Sequence, residues 1–231
     1  MPRRRATLAS IATLVLLVAA PLAAQQSHDL APYLIADRAA EVALARSAAP
    51  KRVTDSARVL VLTRTGYVEA TRGSNGFTCL VLRSFLGGLE DPGYWSPKVR
   101  APACFNPPAS RTVLQESLKR AEWVMAGVSQ KEIAARTDRA YASRQFPLPA
   151  AGAMAYMLSH EQYLGDTDPH WMPHVMFYYD RTLPAAAWGA GDMSAPIIDA
   201  SVGTPHSPVQ TLFIPVRQWS NGAPAMSAMN R

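Results

Sequence analysis

Arg58-Val59-Leu60-Val61-Leu62-Thr63-Arg64-Thr65-Gly66-Tyr67-Val68-Glu69-Ala70-Thr71-Arg72-Gly73-Ser74-Asn75-Gly76-Phe77-Thr78-Cys79-Leu80-Val81-Leu82-Arg83 is the stretch on which the fold turns. Val59 to Leu62 is an unbroken β-branched and aliphatic run within Arg58 to Arg64, so it predicts a strand. Gly66 permits a turn, and Tyr67 to Arg72 continues as a second strand. Gly73-Ser74-Asn75-Gly76 is a turn signal, because Gly and Asn tolerate positive φ. Phe77 to Arg83 then reads as a third strand. Three successive strands with tight connections predict an antiparallel meander.

Upstream, Leu30 to Arg46 repeats apolar residues at helical spacing (Ile35, Ala39, Val42). Asp29 is placed to cap that helix, which ends before Pro50. Downstream, Gly87 to Pro108 holds five Pro, three Gly and Cys104, and predicts a long irregular segment. Ser110 to Ala126 carries Leu114, Leu118, Ala121 and Met125 on one helical stripe, leaving Arg111, Glu116, Lys119 and Arg120 for solvent. Gly127 ends that helix. Ser129-Gln130-Lys131-Glu132 is a capping box opening a second helix to about Arg144, stopped by Pro147 and Pro149. The last third returns to strands at Ala153 to Ser159, Val175 to Tyr179, Pro196 to Val202 and Val209 to Val216. Residues 203–208 make a hairpin connection between the last two. The expected architecture is a single α+β domain over residues 25–231, with a mainly antiparallel sheet and helices packed on one face.

The N-terminus has the three parts of a cleavable signal peptide: Arg3, Arg4 and Arg5, an apolar run from Ala6 to Ala20, and small residues after Pro21. That run is 15 residues, whereas crossing a bilayer core takes about 20. Cleavage after Ala24 is expected, placing the protein in the periplasm or outside the cell with no membrane span. The competing reading is an uncleaved anchor. Removing residues 1–24 takes away three Arg and no acid, so the formal charge falls from +6 to +3, with 20 basic against 17 acidic residues. An ordinary charge with no basic block beyond Lys51-Arg52 speaks against a nucleic-acid partner.

Two cysteines remain, Cys79 and Cys104. In an oxidising compartment they predict one disulfide that ties the proline-rich excursion to the third strand. Cys79 as a nucleophile is the weaker reading, because it lies in an apolar run rather than in a cationic, partly exposed setting.

Chemically capable side chains are densest between Ser159 and Asp180. A divalent metal such as zinc suits His170, His174 and a carboxylate, Asp168 or Asp166. However, Pro173 forbids one helical turn between the two histidines, and a strand would separate them by roughly 13 Å, so only a turn at 171–173 would unite them. His174, aided by His160 and Glu161, is the candidate general acid or base. Trp171, Tyr179 and Asp180 are the candidates for contacting a ligand. The plainer alternative makes Gly165 to Pro169 a solvated loop, His174 a hydrogen-bonded residue at a strand entrance, and Phe177 and Tyr179 core. The basic strand residues Arg58, Arg64, Arg72 and Arg83 either gather an anionic ligand or are solvated strand ends. Two functional readings follow. The first is a non-catalytic exported domain that binds a small ligand, a metal or an envelope component. The second is an extracytoplasmic hydrolase or lyase built around His174.

Overall fold

A computed structural model of the chain describes residues 28–182, 184–200 and 207–225. The expected signal peptide and most of the 203–208 connection, His206 included, lie outside the described residues. The N-terminal helix starts later than its periodicity suggests. Ala31–Tyr33 form a single 3-10 turn that carries Tyr33 into the core at 2% exposure. Helix α1 (Arg38–Arg46) begins at Asp37, not Asp29, and the Asp37 carboxylate accepts from the Ala39 and Ala40 amides at 2.8 and 3.2 Å. A short helix α2 (Lys51–Thr54) follows.

Strands β1 (Arg58–Thr63), β2 (Gly66–Thr71) and β3 (Thr78–Leu82) form where the apolar pattern places them. Their order is not that of a meander. β2 pairs antiparallel with β1, but β3 lies on the other side of β1 and runs parallel to it. The reason lies in Gly73 to Gly76, which is a crossing over the start of β1 and not a hairpin turn. The Ser74 and Asn75 amides donate to the Ser56 carbonyl at 2.8 and 3.3 Å. A Cβ on Gly73 would sit 2.1 Å from the Arg58 nitrogen, so only glycine lets the chain pass there.

The proline-rich segment is also more ordered than its composition suggests. It ends in strand β4 (Ala101–Phe105), fully paired antiparallel with β3. Cys79 and Cys104 stand opposite one another in that ladder and form the expected disulfide. Pro102 is accommodated at a position of the paired strand, and a short helix α3 (Pro107–Arg111) starts directly after it, capped by Asn106. Helix α4 (Val113–Met125) ends at Gly127, which adopts φ 76°. Helix α5 (Gln130–Ala142) opens on the Ser129 hydroxyl accepting from the Glu132 amide, as the capping box requires.

Strands β5 (Met154–Met157), β6 (His174–Asp180), β7 (Ile198–Asp199) and β8 (Val209–Pro215) complete one eight-stranded sheet in the order β2-β1-β3-β4-β5-β6-β8-β7. Every pairing but β1–β3 is antiparallel. The architecture is therefore α+β with a mainly antiparallel sheet, as expected. The helices, however, cover both faces. Leu60, Leu80, Ala103 and Phe105 pack with Val113 and Leu114 of α4 on one side. Val59, Cys79, Val81 and Cys104 pack with Val42 and Ala45 of α1 on the other. A strand that is apolar at every position needs cover on both sides, so the run Val59–Leu62 already carried this requirement.

Candidate functional site

Beyond the end of α4 that packs on β3 and β4, the sheet continues into β6 and β8 with less helix above it. The space left there is a cavity of about 330 Å³. Its floor comes from alternating residues that share one sheet face: Leu82, Phe105, Met176, Tyr178, Val209 and Phe213. Its roof is Val113, Glu116, Ser117 and Arg120 of α4, and the turn at residues 86–89 closes one side. The walls are mainly apolar, with a few fixed polar groups at one end. This volume falls at the lower end of the range for small-molecule sites.

The polar end is rigid. Arg120 is 6% exposed and donates to the Phe85 and Gly87 carbonyls at 2.9 and 2.7 Å, and to Glu116 Oε1 at 3.3 Å. The other Glu116 oxygen accepts from the Tyr141 hydroxyl at 2.5 Å. Burial, then the Glu116 charge, pushes the Tyr141 phenol far above its usual range, so it stays a neutral donor. The Tyr178 phenol, raised by burial, likewise keeps its proton. The cavity thus offers apolar walls and a carboxylate already held by two donors.

Comparison with protein-family models, curated proteins and solved structures returned no match to this chain.

The residues expected from sequence to carry chemistry do not converge on one centre: His160 meets His170, Trp171 meets His174, and Asp166, Asp168 and Trp171 border one surface concavity. His174 opens β6 at 1% exposure, between Trp171 at 4.6 Å and Phe213 at 4.5 Å, ring centre to ring centre. Its Nδ1 bonds the Met172 carbonyl at 2.9 Å, which makes Nδ1 the protonated nitrogen. Nε2 is buried without a partner among the described residues. Burial lowers its pKa to about 4. Phe213 connects this ring to the cavity, since it both lines the cavity and packs on His174. His160 and His170 are exposed and stack on each other at 5.9 Å, with Trp219 edge-on to His160 at 5.3 Å. Glu161 is exposed beside them. Asp168 and Asp166 lie on an exposed loop, where Asp166 accepts from Tyr163 and Lys98 and is held below the usual carboxylate range by these two groups. Among the described residues, His170, His174 and Asp168 are not gathered, and no group of three His, Cys, Asp or Glu side chains is placed to hold a metal. Trp171 sits at the entrance of β6, whereas Tyr179 stacks on Trp188 at 4.1 Å on the face away from the cavity, next to Asp180 at the far end of the strand.

Three buried charged groups were not expected from the sequence: Arg83, Glu41 and Arg120. Arg83, taken as a strand end, is 1% exposed and pairs with Glu41 of α1 at 2.8 Å. It also donates to the carbonyls of Tyr33 and Val81, while Glu41 accepts from the Leu62 amide at 3.1 Å. Arg120, taken as solvent-facing, is the clamp described above. Glu41 and Arg120 were detectable as spacing. Glu41, Ala45 and Ala48 follow at +4 and +3, and Val113, Ser117, Arg120 and Val124 at +4, +3 and +4, so each charge interrupts an apolar stripe.

Proposed function

We propose that this protein is a non-catalytic, exported domain that binds a small, largely apolar ligand in the cavity between α4 and the β6–β8 part of the sheet. The observation that carries the reading is the cavity itself. Its apolar floor is assembled from four strands, and its polar groups are fixed in advance, which lowers the ordering cost of binding. Export rests on the Arg3–Arg5, Ala6–Ala20 and Ala23–Ala24 leader, and the Cys79–Cys104 crosslink fits an oxidising compartment. Among the described residues no helix is long and apolar enough to cross a membrane. The hydrolase or lyase reading has less support. The His174 ring is closed off from solvent, and its one hydrogen bond goes to a backbone carbonyl rather than to an acid that would orient it for proton transfer.

The test uses N-phenyl-1-naphthylamine, an uncharged apolar fluorophore, titrated into the oxidised protein. Saturable fluorescence enhancement is expected, and Ser117→Phe, which fills the cavity from α4, should weaken it at least about tenfold with an unchanged circular dichroism spectrum. Absent saturation, or equal binding by the filled variant, would remove the cavity as the binding site.

A further inference from the structure

A second concavity, of about 400 Å³, lies where the crossing turn meets the start of the sheet. Arg58 opens β1 and Thr78 opens β3, and the two are direct partners in the parallel register. Arg111 ends α3, and Gln115 lies in the first turns of α4 above them. All four line the cleft, with Gly73 and Gly76 forming its glycine-walled rim. No acidic residue lines it. Neither guanidinium has a hydrogen-bond or ion-pair partner among the described residues, in contrast to Arg83 and Arg120, whose donors are taken up internally. Thr78 is 2% exposed, and its hydroxyl likewise has no hydrogen-bond partner among the described residues.

We infer that this cleft is an anion site, in which Arg58 and Arg111, with the Thr78 hydroxyl between strand and helix, take a tetrahedral oxyanion of the phosphate class. Planar guanidinium forks match the paired oxygens of such a group and bind them with charge-assisted hydrogen bonds. Half-burial of Arg58 against the sheet limits the freedom that binding must remove. The crossing turn also gives the site its shape. A Cβ on Gly76 would lie 2.9 Å from Pro107, so the turn packs tightly on the start of α3, the helix that ends at the exposed Arg111. The site is separate from the apolar cavity and stands or falls independently of it.

Calorimetric titration of the oxidised protein with inorganic phosphate, against chloride at matched ionic strength, is the direct test. A saturable phosphate heat is expected. Arg58→Gln and Arg111→Gln should each weaken it at least about tenfold, the loss of one charged hydrogen-bonding group. Arg64→Gln, an exposed cation at the opposite end of β1, should leave it unchanged. Glycerol phosphate as a second titrant separates sources: tighter binding than phosphate assigns the site to a phosphomonoester, and weaker binding to the free ion. Arg58→Lys guards against a folding artefact, because it keeps the charge while removing the fork, and should bind less well than the parent. Equal heats in phosphate and chloride, or an equal loss in Arg64→Gln, would overturn the assignment.

Discussion

His174 makes the acid side of the stability curve a direct readout of the fold. Its ring is neutral in the native protein, with a pKa lowered from 6.5 to about 4 by burial. Above pH 6.5 both folded and unfolded chains carry it neutral, and it contributes no pH dependence. As the pH falls through 6.5 the unfolded chain takes up a proton that the folded chain refuses, so stability drops. Below about pH 4 both are protonated and the loss levels off. Integrating the difference in bound protons gives a loss of about 2–3 kcal/mol between pH 7.5 and 4.5. The exposed carboxylates with lowered pKa values, Glu132, Asp166 and Asp192, act in the same direction but at lower pH, as protons reach their pairs.

The perturbation is His174→Phe, which fits between Trp171 and Phe213 and cannot titrate. Removing a buried, unpartnered Nε2 is favourable, and stranding the Met172 carbonyl is unfavourable. The two effects should leave stability at pH 7.5 within about 1.5 kcal/mol of the parent. Urea unfolding of the oxidised protein at pH values from 7.5 to 4.5, followed by tryptophan fluorescence, yields both curves. The parent should lose about 2–3 kcal/mol over that range, and the variant should lose little above pH 5. Parallel curves for parent and variant would refute the burial of a neutral ring at this position.

Two further outcomes follow from the buried framework. Opening the Cys79–Cys104 crosslink, by reduction or by replacing both residues with Ala, should lower stability by about 3 kcal/mol, since it releases a closed loop with a separation of 25 residues; a thiol assay on unfolded, unreduced protein should find no free sulfhydryl. Arg83→Met should cost about 3–5 kcal/mol in urea unfolding because it strands the Glu41 carboxylate, and adding Glu41→Leu should recover part of that loss; a single variant within about 1 kcal/mol of the parent would deny the pair its structural role.

The parts of this fold that were legible from sequence are those decided within one element. The apolar runs of β1 and β3, the stripe on α4, the Gly127 stop and the Ser129 cap all depend on contacts within a few residues. Each forms within a residue or two of its expected place except the start of α4, which lies at Val113, three residues late, because Ser110 and Arg111 close the separate helix α3. Strand order was less legible, because a Gly-Ser-Asn-Gly segment satisfies a hairpin and a crossing equally well. What selects the crossing is the Ser56 carbonyl and the close pass over Arg58, fifteen residues and more before the turn.

The candidate site shows the same division more sharply. Three histidines within fifteen residues suggest a centre, yet the surface loop that stacks His160 on His170 ends where β6 begins, at His174. His174 ends up inside the sheet, whereas His160 and His170 lie on the surface. The cavity has the opposite character. Leu82, Phe105, Ser117, Tyr178 and Phe213 come from five elements, and each reads as ordinary core or helix surface in its own window. What turns them into a concavity is the mismatch between an eight-stranded sheet and a thirteen-residue helix, too short at about 1.5 Å per residue to cover it. That mismatch exists only once strand order is known, so in this chain the topology had to be seen before the binding surface could be.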